Sequence, residues 1–167
     1  MSNDMRDIGA GEEDYLYVMP SQIPDSGMGL YSAVTIYKDE IISLFKGELL
    51  SNKEANKRAL LKQNQYFISL LNGGIMDSAN TVCFAKYAND AAGSDSAFKN
   101  NAQISINKSS EVCLIAKRKI KAGEEIFCSY GKRYWGGEGF RFWVLGFEVG
   151  VVIYWFFVQS ICSCILC

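Results

Sequence analysis

Short apolar runs separated by polar turn residues make up most of this chain. Runs rich in β-branched and aromatic residues predict strands at residues 15–19, 30–36, 41–45, 66–71, 104–106, 112–116 and 125–130. Turn signals stand between them, most clearly Asn-Gly-Gly at residues 72–74 and Lys-Ala-Gly at residues 121–123. Because the runs are short and the turns frequent, the pattern predicts small antiparallel strands.

One segment has a helical pattern instead. Residues 51–65 open with Ser-Asn-Lys-Glu, which suits a helix start, and continue with alanines and leucines at helical spacing. Residues 75–87 mix strand and helix character, and residues 89–101, rich in Asn, Asp, Ser and Gly, predict a loop. The polar residues 1–14 predict a flexible N-terminal arm. Together these elements predict a compact, β-rich α+β domain with one helix.

The composition narrows the classes of function. A chain of 167 residues is long enough for one domain with its own core. Hydrophobic residues make up 49% and charged residues 21%, and the formal charge is −1, so no basic field favours direct nucleic-acid binding. The chain has no histidine. This excludes a Ser-His-Asp or Cys-His nucleophile and a histidine metal site.

The N-terminal residues and the cysteines predict an intracellular protein. The acidic start lacks the basic and apolar blocks of a secretory signal, so we expect a reducing compartment, the nucleus or the cytoplasm. Cys83, Cys113 and Cys128 each lie alone in a strand-like run. They are expected to be buried thiols that act as small hydrophobic residues.

Two short segments are candidates for chemistry. Gly27-Met28-Gly29 has two glycines one residue apart, which permits a positive φ or a close backbone approach to a ligand, but it also fits an ordinary turn. It lacks the third glycine and the following helix of a dinucleotide-binding fingerprint. Residues 123–131, Gly-Glu-Glu-Ile-Phe-Cys-Ser-Tyr-Gly, combine a turn and a strand that ends at Tyr130.

In their order and spacing these segments resemble the SET-domain lysine methyltransferases. Residues 17–50 resemble the opening of that family, in which a Gly-x-Gly turn precedes an aromatic-x-Gly-Glu strand. Further matches are the Glu-Ala-x-x-Arg helix at Glu54, Ala55 and Arg58, the strand tyrosine Tyr66, Asp77, the motif asparagines Asn89 and Asn101, and residues 123–131. The resemblance covers residues 15–135. It implies a β-clip-like fold of small antiparallel sheets with a pseudoknot near its C-terminal end.

The resemblance also implies a cofactor, a substrate and site residues. S-adenosylmethionine would donate a methyl group to a lysine of a protein or peptide, such as a histone. A lysine accepts a methyl group only as the neutral amine, whereas its unperturbed pKa is about 10.4, so a desolvated channel is needed to lower that pKa. The implied cofactor-binding residues are Gly27, Met28, Gly29, Asn89, Asp90, Tyr130 and Trp135, and the implied catalytic residues are Tyr130 and the channel-lining Tyr66. Trp135 alternatively serves as an ordinary core tryptophan.

Two departures from the family pattern bear on activity. Asp90 stands where the family has the histidine of its Asn-His-Ser motif, so a catalytically weak or inactive SET-like interaction module is the alternative function. Cys128 lies two residues before Tyr130, where many members carry a Phe or Tyr that limits how many methyl groups fit. A smaller side chain there predicts higher methylation states.

The C-terminal tail, residues 136–167, is hydrophobic, and residues 149–167 contain 19 consecutive uncharged residues. As a helix these would span about 28 Å, close to the roughly 30 Å hydrocarbon core of a bilayer. The alternatives are a membrane anchor, an element packed on the domain, or a sequence that is not the authentic C-terminus. Cys162, Cys164 and Cys167 suggest a zinc module, but a fourth ligand is lacking, so no metal is expected. Acylation of these cysteines is another alternative.

Overall fold

The computed structural model of the chain describes residues 5–70, 72–93, 97–129, 142–144 and 147–149. The strands in chain order are β1 Arg6–Asp7, β2 Leu16–Pro20, β3 Met28–Ser32, β4 Glu40–Leu44, β5 Glu48–Leu50, β6 Phe67–Ser69, β7 Ile75–Asp77, β8 Ala102–Ile106, β9 Val112–Ala116, β10 Glu125–Ile126, β11 Cys128–Ser129, β12 Phe142–Val144 and β13 Phe147–Val149. The α-helices are α1 Glu12–Tyr15 and α2 Asn52–Leu60, and 3-10 turns span Ala85–Tyr87 and Ala91–Gly93. The predicted β-rich α+β class is confirmed.

A five-stranded sheet in the order β1-β4-β9-β8-β11 forms the centre of the fold. Its inner pairs are antiparallel, as predicted, and β8 and β9 form a hairpin in which Ile104 faces Leu114. The edge strands β1 and β11 pair in parallel with β4 and β8. Parallel neighbours cannot be joined by a tight turn, so turn signals along the sequence do not reveal them.

Two smaller sheets flank this centre. One has the order β10-β3-β2 and the other the order β5-β7-β6. In the second, the turn predicted from Asn-Gly-Gly joins β6 to β7 as an antiparallel hairpin, and Gly73 adopts a φ of +81°. A positive φ is accessible to glycine at little cost, which explains why the turn residue is glycine.

The run at residues 125–130, predicted as one strand, is divided between two sheets. Its first part, β10, pairs with β3, and its second part, β11, pairs with β8. Phe127 lies between them and forms an isolated parallel bridge with Asn89. The division matters for function because the same short segment thereby contacts both the glycine turn and the Asn89 loop.

Helix α2 begins as predicted, but the leucines of its predicted pattern are exposed. The Ser51 hydroxyl accepts a hydrogen bond from the Glu54 amide at 3.2 Å, as an N-cap does. Within the helix only Ala55 is buried, whereas Leu60 is 86% exposed and Leu61, just past the helix, is 60% exposed. The apolar residues near the end of this helix therefore do not pack against the core.

Regular structure begins earlier than the strand predicted at residues 15–19. Arg6 and Asp7 extend the edge of the central sheet, and Glu12–Tyr15 forms one helical turn before β2. The Glu12 carboxylate accepts hydrogen bonds from the Leu44 amide at 2.9 Å and from Lys46 Nζ at 3.2 Å. These hydrogen bonds join residues more than 30 positions apart, and local sequence patterns cannot predict them.

The main core lies between the central sheet and the sheet of β10, β3 and β2. It contains the fully buried side chains of Leu30, Ile36, Ile42, Leu114, Ile120 and Ile126. Cys83, Cys113 and Cys128 are buried and free, which confirms their prediction as apolar packing residues. Burial raises the pKa of the Cys113 thiol to about 12, with further contributions from Glu111 and Asp7.

Of the hydrophobic tail, the structure describes only the antiparallel hairpin strands β12 and β13. Residues 150–167, which carry most of the predicted anchor and Cys162, Cys164 and Cys167, lie outside the described residues. Among the residues that are described, no helix is both long and apolar enough to cross a bilayer. The domain boundaries at residues 14 and 135 stay predictions.

Candidate active site

The glycine turn at residues 27–29 needs each of its glycines for a different reason. Gly27 adopts a φ of +69°, and a Cβ added there would meet nothing within 4 Å. At Gly29 an added Cβ would lie 2.1 Å from Oε1 of Glu125 and 3.2 Å from the Cα of Ser21. Gly27 thus allows the turn, and Gly29 allows a close approach, but to a buried side chain of the protein itself.

That side chain, Glu125, joins β10 to the loop before the glycine turn. It is 1% exposed, and its carboxylate accepts hydrogen bonds from Ser21 Oγ at 2.7 Å, from the Gln22 amide at 2.7 Å and from the Tyr31 hydroxyl at 3.0 Å. A buried carboxylate is tolerated when its oxygens are hydrogen-bonded. Glu125 therefore fixes the loop that leads into the glycine turn.

The same contact affects Tyr31. Burial, together with the hydrogen bond to Glu125 and its negative charge, raises the pKa of Tyr31 to about 12. The Tyr31 hydroxyl also lies 2.8 Å from the carbonyl oxygen of Pro20. Tyr31 consequently remains a neutral donor at physiological pH.

Asn89 connects the glycine turn with the strand that leads to Tyr130. Its Nδ2 donates to the carbonyl oxygen of Met28 at 3.0 Å, and its own carbonyl oxygen accepts from the Cys128 amide at 2.8 Å. These two bonds bring together segments that are 61 and 39 residues apart in the chain. Gly27, Met28, Gly29 and Asn89, all predicted cofactor-binding residues, therefore lie in one place.

Asn101 stabilises the segment at residues 125–127 next to this junction. It is fully buried, its Oδ1 accepts from the Phe127 amide at 2.9 Å, and its Nδ2 donates to the Glu125 carbonyl oxygen at 2.8 Å. Its backbone amide donates to the Phe127 carbonyl oxygen at 3.0 Å. With its side chain and its own amide together, Asn101 thus satisfies backbone groups on both sides of Phe127, where the strand passes from one sheet to the other.

Asp90 is held inside its own loop. It is 7% exposed, and its Oδ1 accepts from the Ala92 amide at 2.8 Å and from Asn100 Nδ2 at 2.6 Å. Asn100 Oδ1 in turn accepts from the Ala91 amide at 2.9 Å. The carboxylate that replaces the family histidine therefore stabilises the shape of the loop that begins at Asn89.

Tyr66 lies in a separate cluster around a buried cation. Lys86 is 9% exposed, and its Nζ lies 5.2 Å from the ring centroid of Tyr66 and 5.4 Å from that of Tyr87. Distances of this size are typical of cation–π contacts. Tyr66 itself is half-buried, and this desolvation, with a smaller contribution from Tyr87, raises its pKa. Its hydroxyl therefore stays protonated at neutral pH.

Beside this cluster lies a cleft of about 360 Å³ formed by residues 79–84 with Lys86 and Tyr87. The chain before and after Tyr66 also carries two buried polar atoms without a hydrogen-bond partner among the described residues, Asn64 Oδ1 and Ser78 Oγ. Such atoms usually find an ordered water or a ligand. The surroundings of Tyr66 thus include buried polar atoms that are not paired among the described residues.

The other edge of the turn after β7 is held by an ion-pair cluster. Arg58 Nη1 lies 2.7 Å from Asp77 Oδ2, and Arg58 Nη2 lies 2.8 Å from Glu48 Oε2. These carboxylates raise the pKa of Arg58, with Asp77 contributing most. Asp77 Oδ1 accepts from the Ala79 amide at 2.9 Å, so the two residues matched to the family motifs serve as supports for this turn.

The predicted residues Tyr130 and Trp135 lie outside the described residues. Tyr130 directly follows Ser129, the last residue of β11, and β11 is fixed by its pairing with β8 and by the Asn89 bond. No role was predicted for Glu125 or Lys86. The available signals were weak: the second Glu of the Gly-Glu-Glu turn, and a lysine within the otherwise apolar run at residues 83–88.

The chain is similar to proteins of known family in both sequence and structure. The sequence model described as SET domain matches residues 27–131. The chain is 32% identical over 108 residues to "Histone-lysine N-methyltransferase EZ1" of Zea mays, a match that covers 63% of this chain and 11% of that protein. It is 24% identical over 133 residues to "Histone-lysine N-methyltransferase 2D" of Homo sapiens, covering 77% of this chain and 2% of that protein.

Solved structures agree with the sequence matches. The ctPRC2 complex in an autoinhibited conformation bound to S-adenosylmethionine matches with a TM-score of 0.57 at 28% identity, over 70% of this chain and 15% of that chain. A humanized mutant of the Chaetomium thermophilum Polycomb Repressive Complex 2 bound to an inhibitor matches with a TM-score of 0.57 at 29% identity, over the same shares. The chain spans about one ninth of the length of the plant relatives it matches.

Proposed function

The chain belongs to the SET-domain family, and we propose that it transfers a methyl group from S-adenosylmethionine to the side-chain amine of a protein lysine. The observation that carries this proposal is the junction at Asn89. Its side chain bonds the glycine turn at Met28 O, and its backbone bonds the strand at Cys128 N, two residues before Tyr130. The elements implied for the cofactor and for the central tyrosine are therefore neighbours.

The residues at this junction fit the proposed cofactor. The space beside Gly27 is open, Met28 is 45% exposed, and Asn89 is only partly buried, so polar and apolar groups border an accessible surface. The S-adenosylmethionine sulfonium supplies an electrophilic methyl group when it is bound. Gly27, Met28, Gly29, Asn89 and Asp90 are proposed to hold the cofactor, either directly or by fixing the loops that touch it.

On the substrate side, the protein has to present a neutral amine in line with the methyl group. Desolvation disfavours a charged lysine and lowers its pKa. Holding the amine and the methyl group in a fixed orientation makes their reaction effectively unimolecular. The proposed contributors are Tyr66 at the channel wall and Tyr130 as the residue that orients the amine and the methyl group. Trp135 is proposed as aromatic surface for the adenine ring. None of these roles requires a protein nucleophile, in agreement with a chain that has no histidine.

The names of the relatives suggest the substrate class. The matched proteins are called histone-lysine methyltransferases, so a histone lysine is the proposed substrate and the nucleus the proposed place of action. A cytoplasmic site is the alternative if another protein is methylated. Membrane attachment through residues 149–167 rests on the sequence pattern alone, and imaging of tagged full-length and truncated chains would test it.

A two-step assay tests the proposed activity. Calorimetry first measures the binding of S-adenosylmethionine, and mass spectrometry then measures methyl transfer to histones and to a cell lysate. Tyr130→Phe removes the proposed orienting hydroxyl and is expected to reduce transfer at least about tenfold, while Tyr37→Phe, at an exposed tyrosine, is the matched control. Cofactor binding without any transfer by the wild-type chain would support the interaction-module alternative instead.

A further inference from the structure

Lys86 is buried beneath the turn of residues 78–81, with only 9% of its surface exposed. Burying a cation is costly unless its donors are satisfied. Its Nζ lies 3.0 Å from the carbonyl oxygen of Ser78, 3.2 Å from that of Ala79 and 3.1 Å from that of Thr81. An ammonium has three N–H donors, so each of the three carbonyl oxygens can accept one of them.

The same ammonium lies against two aromatic rings. Its distances of 5.2 Å and 5.4 Å to the ring centroids of Tyr66 and Tyr87 add cation–π attraction to the three hydrogen bonds. The turn is tied to Tyr66 a second time, because the Ser78 amide donates to the Tyr66 carbonyl oxygen at 3.1 Å. Lys86, the turn and Tyr66 therefore form one connected unit.

We propose that Lys86 is a positioning residue for the lysine side of the reaction, which holds the ring of Tyr66 in place through its ammonium. This inference rests on the proposed function, in which Tyr66 lines the lysine channel. The bonds that define the junction at Gly27–Gly29, Asn89 and Glu125 do not include the Lys86 ammonium. Loss of the ammonium should therefore affect peptide binding and turnover more than cofactor binding.

Two substitutions separate this role from simple stability. Lys86→Met keeps the length and the apolar stem but leaves three carbonyl oxygens without their donor. Lys86→Arg keeps a charge with several N–H donors and a flat group that stacks on tyrosine rings. Tyr15→Phe is the matched control, because it removes one buried hydrogen bond, to Ile42 O, in the main core.

The first measurement does not depend on activity. With 13C-labelled tyrosine, the ring resonance of Tyr66 is assigned by comparison with a Tyr66→Phe sample. It is expected to shift in Lys86→Met, to return toward its wild-type position in Lys86→Arg, and to stay unchanged in Tyr15→Phe. An unchanged Tyr66 resonance in Lys86→Met would overturn the inference, whether or not the protein proves to be an enzyme.

The second measurement is kinetic. For Lys86→Met, kcat/KM for a lysine peptide is expected to fall at least about tenfold while the Kd for S-adenosylmethionine stays within about threefold. Lys86→Arg should recover most of the loss. An equal weakening of cofactor and peptide binding, or the same pattern in Tyr15→Phe, would contradict a positioning role. A wild-type protein that binds no S-adenosylmethionine would instead overturn the proposed function.

Discussion

Gly29→Ala tests whether the buried Glu125 carboxylate controls the glycine turn. The new Cβ would lie 2.1 Å from Oε1 and 2.8 Å from the carboxylate carbon. Carbon and oxygen atoms in ordinary contact are more than 3 Å apart, so the carboxylate has to move by roughly 1 Å or more. A movement of that size would stretch both of its 2.7 Å bonds, to Ser21 Oγ and to the Gln22 amide, beyond hydrogen-bonding distance.

The expected cost follows from those two bonds. A hydrogen bond to a charged group contributes about 1.5–3 kcal/mol, so we expect Gly29→Ala to lower the free energy of unfolding by about 3–5 kcal/mol. This is a large fraction of the roughly 5–15 kcal/mol typical of a single domain. Gly73→Ala is the matched control, because Gly73 has a φ of +81° with open space around it. It should cost only the roughly 1–2 kcal/mol of a left-handed backbone conformation.

Urea denaturation followed by circular dichroism measures these differences, and a double-mutant cycle identifies their source. Glu125→Ala alone leaves buried donors without an acceptor, but in the double variant the clash at residue 29 is gone. We therefore expect the two changes to be less than additive by about 2 kcal/mol or more. Additive costs, or a Gly29→Ala variant as stable as Gly73→Ala, would refute the reasoning.

Asn89→Ala should weaken S-adenosylmethionine binding at least about tenfold in calorimetry, since it removes the bond that holds Met28 O; unchanged affinity would place the cofactor elsewhere. The hydrogen bonds of Glu124 with Arg118, the Lys121 backbone and Asn101 outweigh desolvation and lower its pKa. A Glu124 carboxylate with a lowered pKa stabilises the folded protein above its unfolded pKa of about 4.3, and this stabilisation is lost as the pH falls through the folded pKa. Glu124→Gln should therefore lower the free energy of unfolding at neutral pH but not in acid. A stability deficit independent of pH would contradict this. With Cys128 two residues before Tyr130, mass spectrometry of the reaction products should show di- or trimethyl-lysine, and monomethyl-lysine alone would argue against the extra space.

The local elements were predictable because their signals are local. The hairpin at residues 72–74 follows from glycine's access to a positive φ, and the start of α2 follows from a serine that caps an amide three residues ahead. The cofactor-side residues were predictable as a group only through their order and spacing along the chain. Their meeting at Asn89 is consistent with that order, whereas the roles of Tyr130 and Trp135 stay predictions.

The site also contains residues whose importance no local pattern shows. Glu125 looks like part of a turn, and only its contacts with Ser21, Gln22 and Gly29 reveal a buried support. Lys86 lies in an apolar run, and only the carbonyl oxygens converging on it show why a cation is tolerated there.

The sequence alone therefore located seven runs that form strands, the turns at residues 72–74 and 121–123, the start of helix α2 and the family to which the chain is similar. Only the folded chain shows which strands pair, where residues 125–129 pass from one sheet to another, and which buried charges support the site. This difference arises from the distance along the chain over which each kind of interaction acts. Propensities and turn chemistry act over a few residues, whereas the bonds of Glu125 to the Gln22 amide and of Asn89 to Met28 O join positions 103 and 61 residues apart.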